Sequence, residues 1–579
     1  MRHFAAHRIA GDQVVGSGIG GHGRPPGEPS PPSPTTPGNR GDKIDVTEFS
    51  ASTRAANLER MRRETFDVLI VGGGIVGAGV AREAACRGLR TALAERGDFA
   101  SGTSGKTSRL VHGGLRYLRN YRIGLVRQGV RERDRLLATA PCLVHPLPFV
   151  IPVYRDRPPG ALALRFGLLV YDLLSKGKAV PGRTWLRLEQ AMAREPRLAE
   201  VAIAGAGIYY DAWTDDSRLV LAVVKDAAAA GAVVANYAEV SEVIREEETV
   251  CGGRVRDGLA GDSFEVRAGV VVNATGVWLD RLRTPRPHPT IRPTKGVHVF
   301  VPRARLGHHH AIALTVRTDG RVVFVLPWGD LTLVGTTDTD FAGDPDHVVA
   351  DPADVDYLLS AVNEAFPDAH LTRDDVVSAY AGLRPLLRKH GEDVSESEVS
   401  RAHELFEDED GLISVAGGKL TTHRAMAEEV VSRIVGRRAT GSTSDRSLGP
   451  SASPLEDFTD LGLDEAAASH LQMRYSLAAV QRNLESPGAR GRIVHGRPCL
   501  WAEVDLAVRE EMALRLSDVL VRRLGLFYET PDQAFGVAVQ VAARMGRILR
   551  WNPRTVEMEL AEYAELVRAH RAFREDHGR

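Results

Sequence analysis

Two stretches of the chain set residues in patterns suited to chemistry. In "VGGGIVGAGVA", Gly72, Gly74 and Gly77 fall in GxGxxG spacing. In "HGGLRYL" (112–118), a histidine and two glycines stand beside an arginine and a tyrosine. Each glycine of the first pattern has a mechanical role. Gly72 makes the tight turn after a strand, Gly74 lets backbone approach a pyrophosphate, and Gly77 lets a helix pack close to a sheet. The helix N-terminus then offers free N–H groups and the positive end of its dipole to phosphates. Glu95 ends the next apolar run, where a carboxylate accepts ribose hydroxyls. Together these features point to a dinucleotide site.

The loop "SGTSGKTS" follows Glu95 and offers small hydroxyls, Thr103, Ser104 and Ser108 among them, able to wrap a flavin dinucleotide. Two later glycine-ended strands can return to the same cofactor, "VVVNATGVW" with Gly276 and "LISVAGGKLTT" with Gly418. With the glycine turn at the start of the folded region, these favour FAD over NAD. Gly113 and Gly114 are expected to let backbone approach the flavin, and His112 either orients it or shapes the turn. Thr421 and Thr422 stand at a helix start, where hydroxyls cap and the dipole stabilises negative charge on a reduced flavin.

Elements must position these residues. "FDVLIV", "GAGVAREAACRG" and "RTALAE" read as a βαβ unit beginning at Phe66. "GRVVFVLPWGDLTLVGTT" reads as two strands joined at Pro327–Asp330, so a more antiparallel sheet is inserted into the nucleotide-binding fold. "DSRLVLAVVKDAAAA" and "LTTHRAMAEEVVSRIV" show helical spacing. The expected fold is therefore α/β: a Rossmann-type FAD-binding domain interleaved with an antiparallel-sheet substrate domain, spanning 61–437. Residues 438–456 are a Ser/Thr/Gly/Pro-rich linker, and 457–579 a separate C-terminal all-helical domain. Residues 16–41 hold eight Gly and seven Pro. That composition buries no core, so 1–60 reads as a disordered extension, or as an over-extended start ahead of Met61.

Composition bounds the rest. The 579 residues are 43% hydrophobic and 26% charged, with net charge -1, so no global field draws the protein to nucleic acid. Cys86, Cys142, Cys251 and Cys499 show no metal spacing and read as scattered buried thiols of a reducing compartment. On a strand the triplet His308–His310 would point to opposite faces, and no carboxylate or Cys is spaced to help, so a loop at a strand edge is expected and no metal. Leu136–Tyr154 is uncharged apart from His145 but contains four prolines, which exclude a spanning helix. "ALALRFGLLVYDLLSKGK" (161–178) is apolar round much of its circumference, with Arg165, Lys176 and Lys178 available at an interface. It reads as a helix lying in the membrane plane or as a buried helix of the substrate domain.

The motifs "TSRLVHGGLRYL", "YYDAWTDDSRLVL", "KGVHVFVP", "VGTTDTDF", "AYAGLRPL" and "GGKLTTHRAMAE", in this order, resemble the FAD-dependent glycerol-3-phosphate dehydrogenases. The resemblance runs from about Phe66 to the C-terminus. It implies hydride transfer from carbon 2 of sn-glycerol 3-phosphate to FAD, yielding dihydroxyacetone phosphate. It further implies electron transfer to a membrane quinone, peripheral contact with the cytoplasmic face of the inner membrane, and allows a homodimer. It places Arg116 and Tyr117 in the substrate pocket and matches Arg384 and Arg401 to phosphate-binding arginines. Lys419 matches the active-site lysine, and His298 is the base for the hydroxyl proton. Arginine suits such a role because its planar fork binds a phosphate dianion bidentately. Without the resemblance, His298 reads as a hydrogen-bonded core histidine. Trp213, Gly105 and Lys106 depart from the family pattern. Three other readings stand: an oxidase using oxygen, an amino-acid or amine oxidase, and a silent flavin-binding module.

Overall fold

The computed structural model describes residues 49–156, 158–175, 179–198, 203–283, 289–388, 403–436 and 443–575. All fall in one compact unit. Helix α1 (Ala51–Arg63) comes first, then strand β1 (Thr65–Val71), helix α2 (Ile75–Cys86) and strand β2 (Thr91–Ala94). Helix α1 corrects the reading of 1–60 as unfolded from Ala51 onward. Few of its residues are apolar, and long-range polar contacts hold it. Ser50 caps its N-terminus, Arg54 pairs with Asp257 at 2.6 Å, and Asn57 donates to the Val234 carbonyl. Met61 is fully buried, so it lies inside the fold and not ahead of it.

Strand β1 sits centrally in the first sheet, parallel to β2 on one side and to Ser263–Asn273 on the other. Val233–Ala235 extends the sheet beyond β2, and Ile413–Ala416 extends it beyond Ser263–Asn273, all parallel. Parallel strands need both faces covered. Helices α2, Asp216–Ala229 and His423–Val435 pack on one face through Ala78, Val220 and Val430.

The second sheet is mostly antiparallel. It begins with strand β3 (Leu110–Val111), followed in the chain by helix α3 (Ile123–Thr139), strand β4 (Val144–Tyr154) and helix α4 (Ala161–Leu174). Its long members are β4, Ile203–Thr214, Ile291–Pro302 and Ser378–Leu387. The hairpin expected around Pro327–Asp330 is present, with Val322–Trp328 pairing Leu331–Gly335.

The C-terminal helices share a core with this sheet. Phe149 and Phe300 of the sheet lie in one apolar cluster with Val504, Leu520, Phe527 and Val541. Ionic contacts also tie them to the first sheet's loops. Buried Arg523 grips Asp98 with bonds of 2.7 and 2.9 Å, and Arg522 adds a third. Burial opposes the Asp98 charge, but the two guanidiniums win and hold its carboxyl down to about 2. Of the expected linker, residues 438–442 lie outside the described residues, while Thr443 donates to Glu83 at 2.6 Å.

Candidate active site

Two cavities meet between the sheets. The first, of about 440 Å³, lies along the C-terminal ends of the parallel strands. Gly72, Gly74, Glu95, Thr103, Ser104, Gly276 and Gly418 all stand on its wall. Gly72 has φ +106°, and a Cβ there would lie 2.7 Å from the Ala274 carbonyl oxygen. Gly77 lies behind the wall, where a Cβ would come within 1.9 Å of the Gly72 oxygen. Only glycine lets α2 come so near the turn. Glu95 accepts the N–H groups of Gly73 and Gly97, at 2.5 and 2.7 Å. Burial pushes its carboxyl up, against those two donors. Ser104 Oγ accepts the Ile75 N–H at 2.9 Å, so the hydroxyl loop closes over the start of α2.

The second cavity, of about 830 Å³, lies over the antiparallel sheet. Arg116, Tyr117, His298, Arg384 and Lys419 line it together, although they span some 300 residues of chain. Lys419 Nζ stands 3.8 Å from the centre of the Tyr117 ring, and the Arg116 guanidinium 5.1 Å from the same ring. Arg384 pairs with Asp338 at 3.0 Å and donates to Thr336 Oγ1 at 2.9 Å. His298 is 2% exposed. Its Nε2 lies 2.8 Å from Ser108 Oγ, and its ring stacks on Tyr380 at 4.8 Å. Burial, then the cations Arg384 and Arg109, push its imidazolium down to about 3, so the ring is neutral.

The cavities share a wall that includes Thr103, Lys106, Gly418 and Lys419. At Lys106, loss of solvent pushes the ammonium down to about 8, with Arg522 adding to the effect. In the sequence Lys106 stands out only as a departure from the family pattern, able to alter packing near the cofactor.

Ser108, His112, Gly114 and Thr421 line the second cavity and not the first. His112 donates its N–H to Thr421 Oγ1 at 3.0 Å, joining the glycine turn to the helix start. Gly113 and Thr422 lie on neither wall. A Cβ on Gly113 would meet Val130 and Tyr171, both at 2.4 Å, so this glycine lets the turn pack close against helices α3 and α4. Thr422 turns inward toward Met426. Arg401 lies outside the described residues. Asp338 and Tyr380 were missed, although both stand inside quoted motifs. Neither residue type announces a role until the strands Ile291–Pro302 and Ser378–Leu387 pair in register, His298 opposite Tyr380.

Two polar clusters lie apart from the cavities. Glu195 accepts the N–H of His310 and pairs with its ring at 2.7 Å, supplying the carboxylate that sequence spacing did not show. His470, Cys499 and Glu503 come within 4.8 Å of one another. Glu503 is already committed to the Leu500 N–H and to His470, and Arg474 helps lower its carboxyl.

The walls fit a flavin dinucleotide. The glycine turn, the start of α2 and Glu95 form a phosphate and ribose cradle, and Gly276 leaves open space where a Cβ would stand.

Comparison with known proteins agrees. Residues 67–433 match the family "FAD dependent oxidoreductase", and 414–556 match the "C-terminal domain of alpha-glycerophosphate oxidase". A glycerol-3-phosphate dehydrogenase of Mycobacterium leprae is 39% identical over 542 residues, covering 89% of this chain and 90% of that protein. An alpha-glycerophosphate oxidase of Enterococcus casseliflavus is 33% identical, covering 90% and 97%. The crystal structure of the Bacillus halodurans glycerol-3-phosphate dehydrogenase complexed with FAD superposes with a TM-score of 0.75 at 29% identity, covering 90% of this chain and 98% of that one. The chain thus belongs to the FAD-dependent oxidoreductases, in the group that carries the alpha-glycerophosphate oxidase C-terminal domain.

Proposed function

We propose that this protein oxidises sn-glycerol 3-phosphate to dihydroxyacetone phosphate. The observation that carries the reading is the meeting of His298, Arg116, Arg384 and Lys419 on one cavity whose wall continues into the dinucleotide cleft. A phosphate dianion in that cavity finds fixed cations, and Arg presents a planar fork to it. Arg384 is held by Asp338 and Thr336, so its orientation is set before substrate arrives. His298 is neutral and able to take a proton. FAD, when bound in the cleft, supplies the hydride acceptor. The names of the relatives from Mycobacterium leprae and Bacillus halodurans support the substrate assignment.

The acceptor side is read from the resemblance, with one feature of the cavity wall beside it. Among the described residues no helix is long and apolar enough to cross a membrane. Helix α4 buries Leu164, Leu168 and Tyr171, so the buried-helix reading accounts for one face of Ala161–Leu174, while Lys176 and Lys178 lie outside the described residues. Its other face exposes Leu162 (81%), Phe166 (68%) and Leu173 (68%). Tyr121 and Ile123, also exposed, stand with Phe166 on the wall of the second cavity. Such a patch supports contact with the surface of a bilayer; the cytoplasmic face of the inner membrane and a quinone as electron acceptor are what the family resemblance adds to it. Because one relative is named an oxidase, oxygen is the competing acceptor.

One anaerobic titration tests the substrate. Glycerol 3-phosphate should bleach the oxidised flavin spectrum of the purified holoenzyme, and an unchanged spectrum sinks the reading. Reoxidation by a quinone without hydrogen peroxide supports the quinone acceptor, whereas stoichiometric peroxide in air supports oxygen.

A further inference from the structure

The cavity that holds His298 presents it indirectly. The imidazole is 2% exposed. One nitrogen, Nε2, is engaged at 2.8 Å by Ser108 Oγ. The other, Nδ1, is buried and has no hydrogen-bond partner among the described residues. Neither nitrogen offers a free lone pair to a hydroxyl in the cavity. Ser108 is half-buried and lines the second cavity, whereas Ser104 of the same loop lines only the cofactor cleft.

The other polar groups around the ring are committed elsewhere. Tyr380 stacks on it and donates its own hydroxyl to the Thr107 carbonyl at 2.6 Å. Arg384 is tied to Asp338 and Thr336. The Arg109 guanidinium lies over the Trp328 ring at 4.2 Å. Ser108 is therefore the hydroxyl that connects the cavity to the base.

We infer that Ser108 is a catalytic relay, taking the proton of the substrate's carbon-2 hydroxyl while passing its own to His298. This rests on the reading of the preceding subsection. The bookkeeping closes on one substrate molecule. The carbon-2 hydrogen leaves with its electron pair to the flavin that the family's activity supplies. The hydroxyl proton moves to Ser108 Oγ, the serine's original proton moves to His298 Nε2, and the carbon–oxygen single bond becomes a carbonyl. His298 ends as imidazolium and Ser108 ends unchanged. A weakly basic imidazole suffices, because a ketone protonated on oxygen is a far stronger acid than imidazolium. The burial that makes the imidazolium costly then returns the proton to solvent when the product leaves.

The test uses the FAD-loaded enzyme in anaerobic stopped flow. Ser108→Ala should retain FAD and shift KM by less than about threefold, yet slow flavin bleaching by about 10²-fold or more, the usual scale for an acid–base group. Ser108→Thr, which keeps a hydroxyl, should recover most of that rate. In wild-type enzyme, bleaching rates in H₂O–D₂O mixtures should curve with deuterium fraction, because two protons move. A linear dependence, no dependence, bleaching of Ser108→Ala at the wild-type rate, or loss of FAD from that variant would each overturn the relay. Should wild-type enzyme itself fail to bleach, the substrate assignment has failed, a result distinct from any of these.

Discussion

The two cavities are built by different means. The cofactor cleft has at its heart backbone from neighbouring pieces of chain, a glycine turn and a helix start with Glu95 about twenty residues on, and later glycines such as Gly276 and Gly418 complete its wall. The substrate cavity is made by side chains from strands and turns far apart, Arg116, His298, Arg384 and Lys419. A backbone site tolerates no added atom at its closest approaches but needs few particular side chains. A side-chain site depends on which residues stand opposite each other across a sheet.

The largest expected effect breaks the backbone site. Gly77→Val places atoms where the Gly72 carbonyl stands, since even a Cβ would lie 1.9 Å from it. The helix must move, at a cost at or above the usual 1–3 kcal/mol of overpacking, about 3 kcal/mol here. Protein recovered from this variant should carry no FAD, measured as flavin absorbance per chain.

Changes to the side-chain site should leave FAD in place. His298→Asn should slow anaerobic bleaching by about 10²–10⁴-fold with flavin content unchanged. Arg116→Met should lower kcat/KM for glycerol 3-phosphate by about 10- to 100-fold, the scale of one charged hydrogen bond, while turnover of phosphate-free glycerol stays put. Loss of flavin from either variant would erase the distinction between the two cavities.

A smaller effect appears in stability against pH. The folded-state value for His298 is depressed to about 3 from 6.5. Between those values the unfolded chain holds a proton that the native one refuses. The stabilisation is therefore present above about pH 6.5 and lost as pH falls toward 3, by at most about 1.4 kcal/mol per pH unit. Denaturation midpoints of His298→Asn should decline less steeply over that window than those of wild type.

The smallest effect on chemistry is expected at the mouth of the second cavity. Leu162→Ser with Leu173→Ser, on the exposed face of α4 beside that mouth, should reduce co-sedimentation with anionic lipid vesicles and leave bleaching by glycerol 3-phosphate within about twofold of wild type. Undiminished sedimentation would dissociate the apolar patch from membrane contact.

The same difference explains what could be read in advance. The βαβ unit, the glycine spacing and Glu95 were legible because their geometry is local: a strand, a turn and a helix dictate where each atom lies. The hairpin around Pro327–Asp330 was legible for the same reason. Helix α1 was not, because contacts to Asp257 and Val234 hold it, some 200 residues away. Loop 101–108 was read as a single flavin-wrapping loop, yet it divides between the cavities, Ser104 facing the cleft and Ser108 facing His298.

By itself the sequence determined the dinucleotide cradle, the βαβ unit from Phe66 on and, through its motifs, the family. Only the tertiary structure decided that Gly113 serves helix packing, that Asp338 orients Arg384, and that a serine stands between the cavity and the base. The reason is physical. Short-range sterics act between residues close in the chain, whereas a substrate site forms where strands of distant origin pair in a particular register.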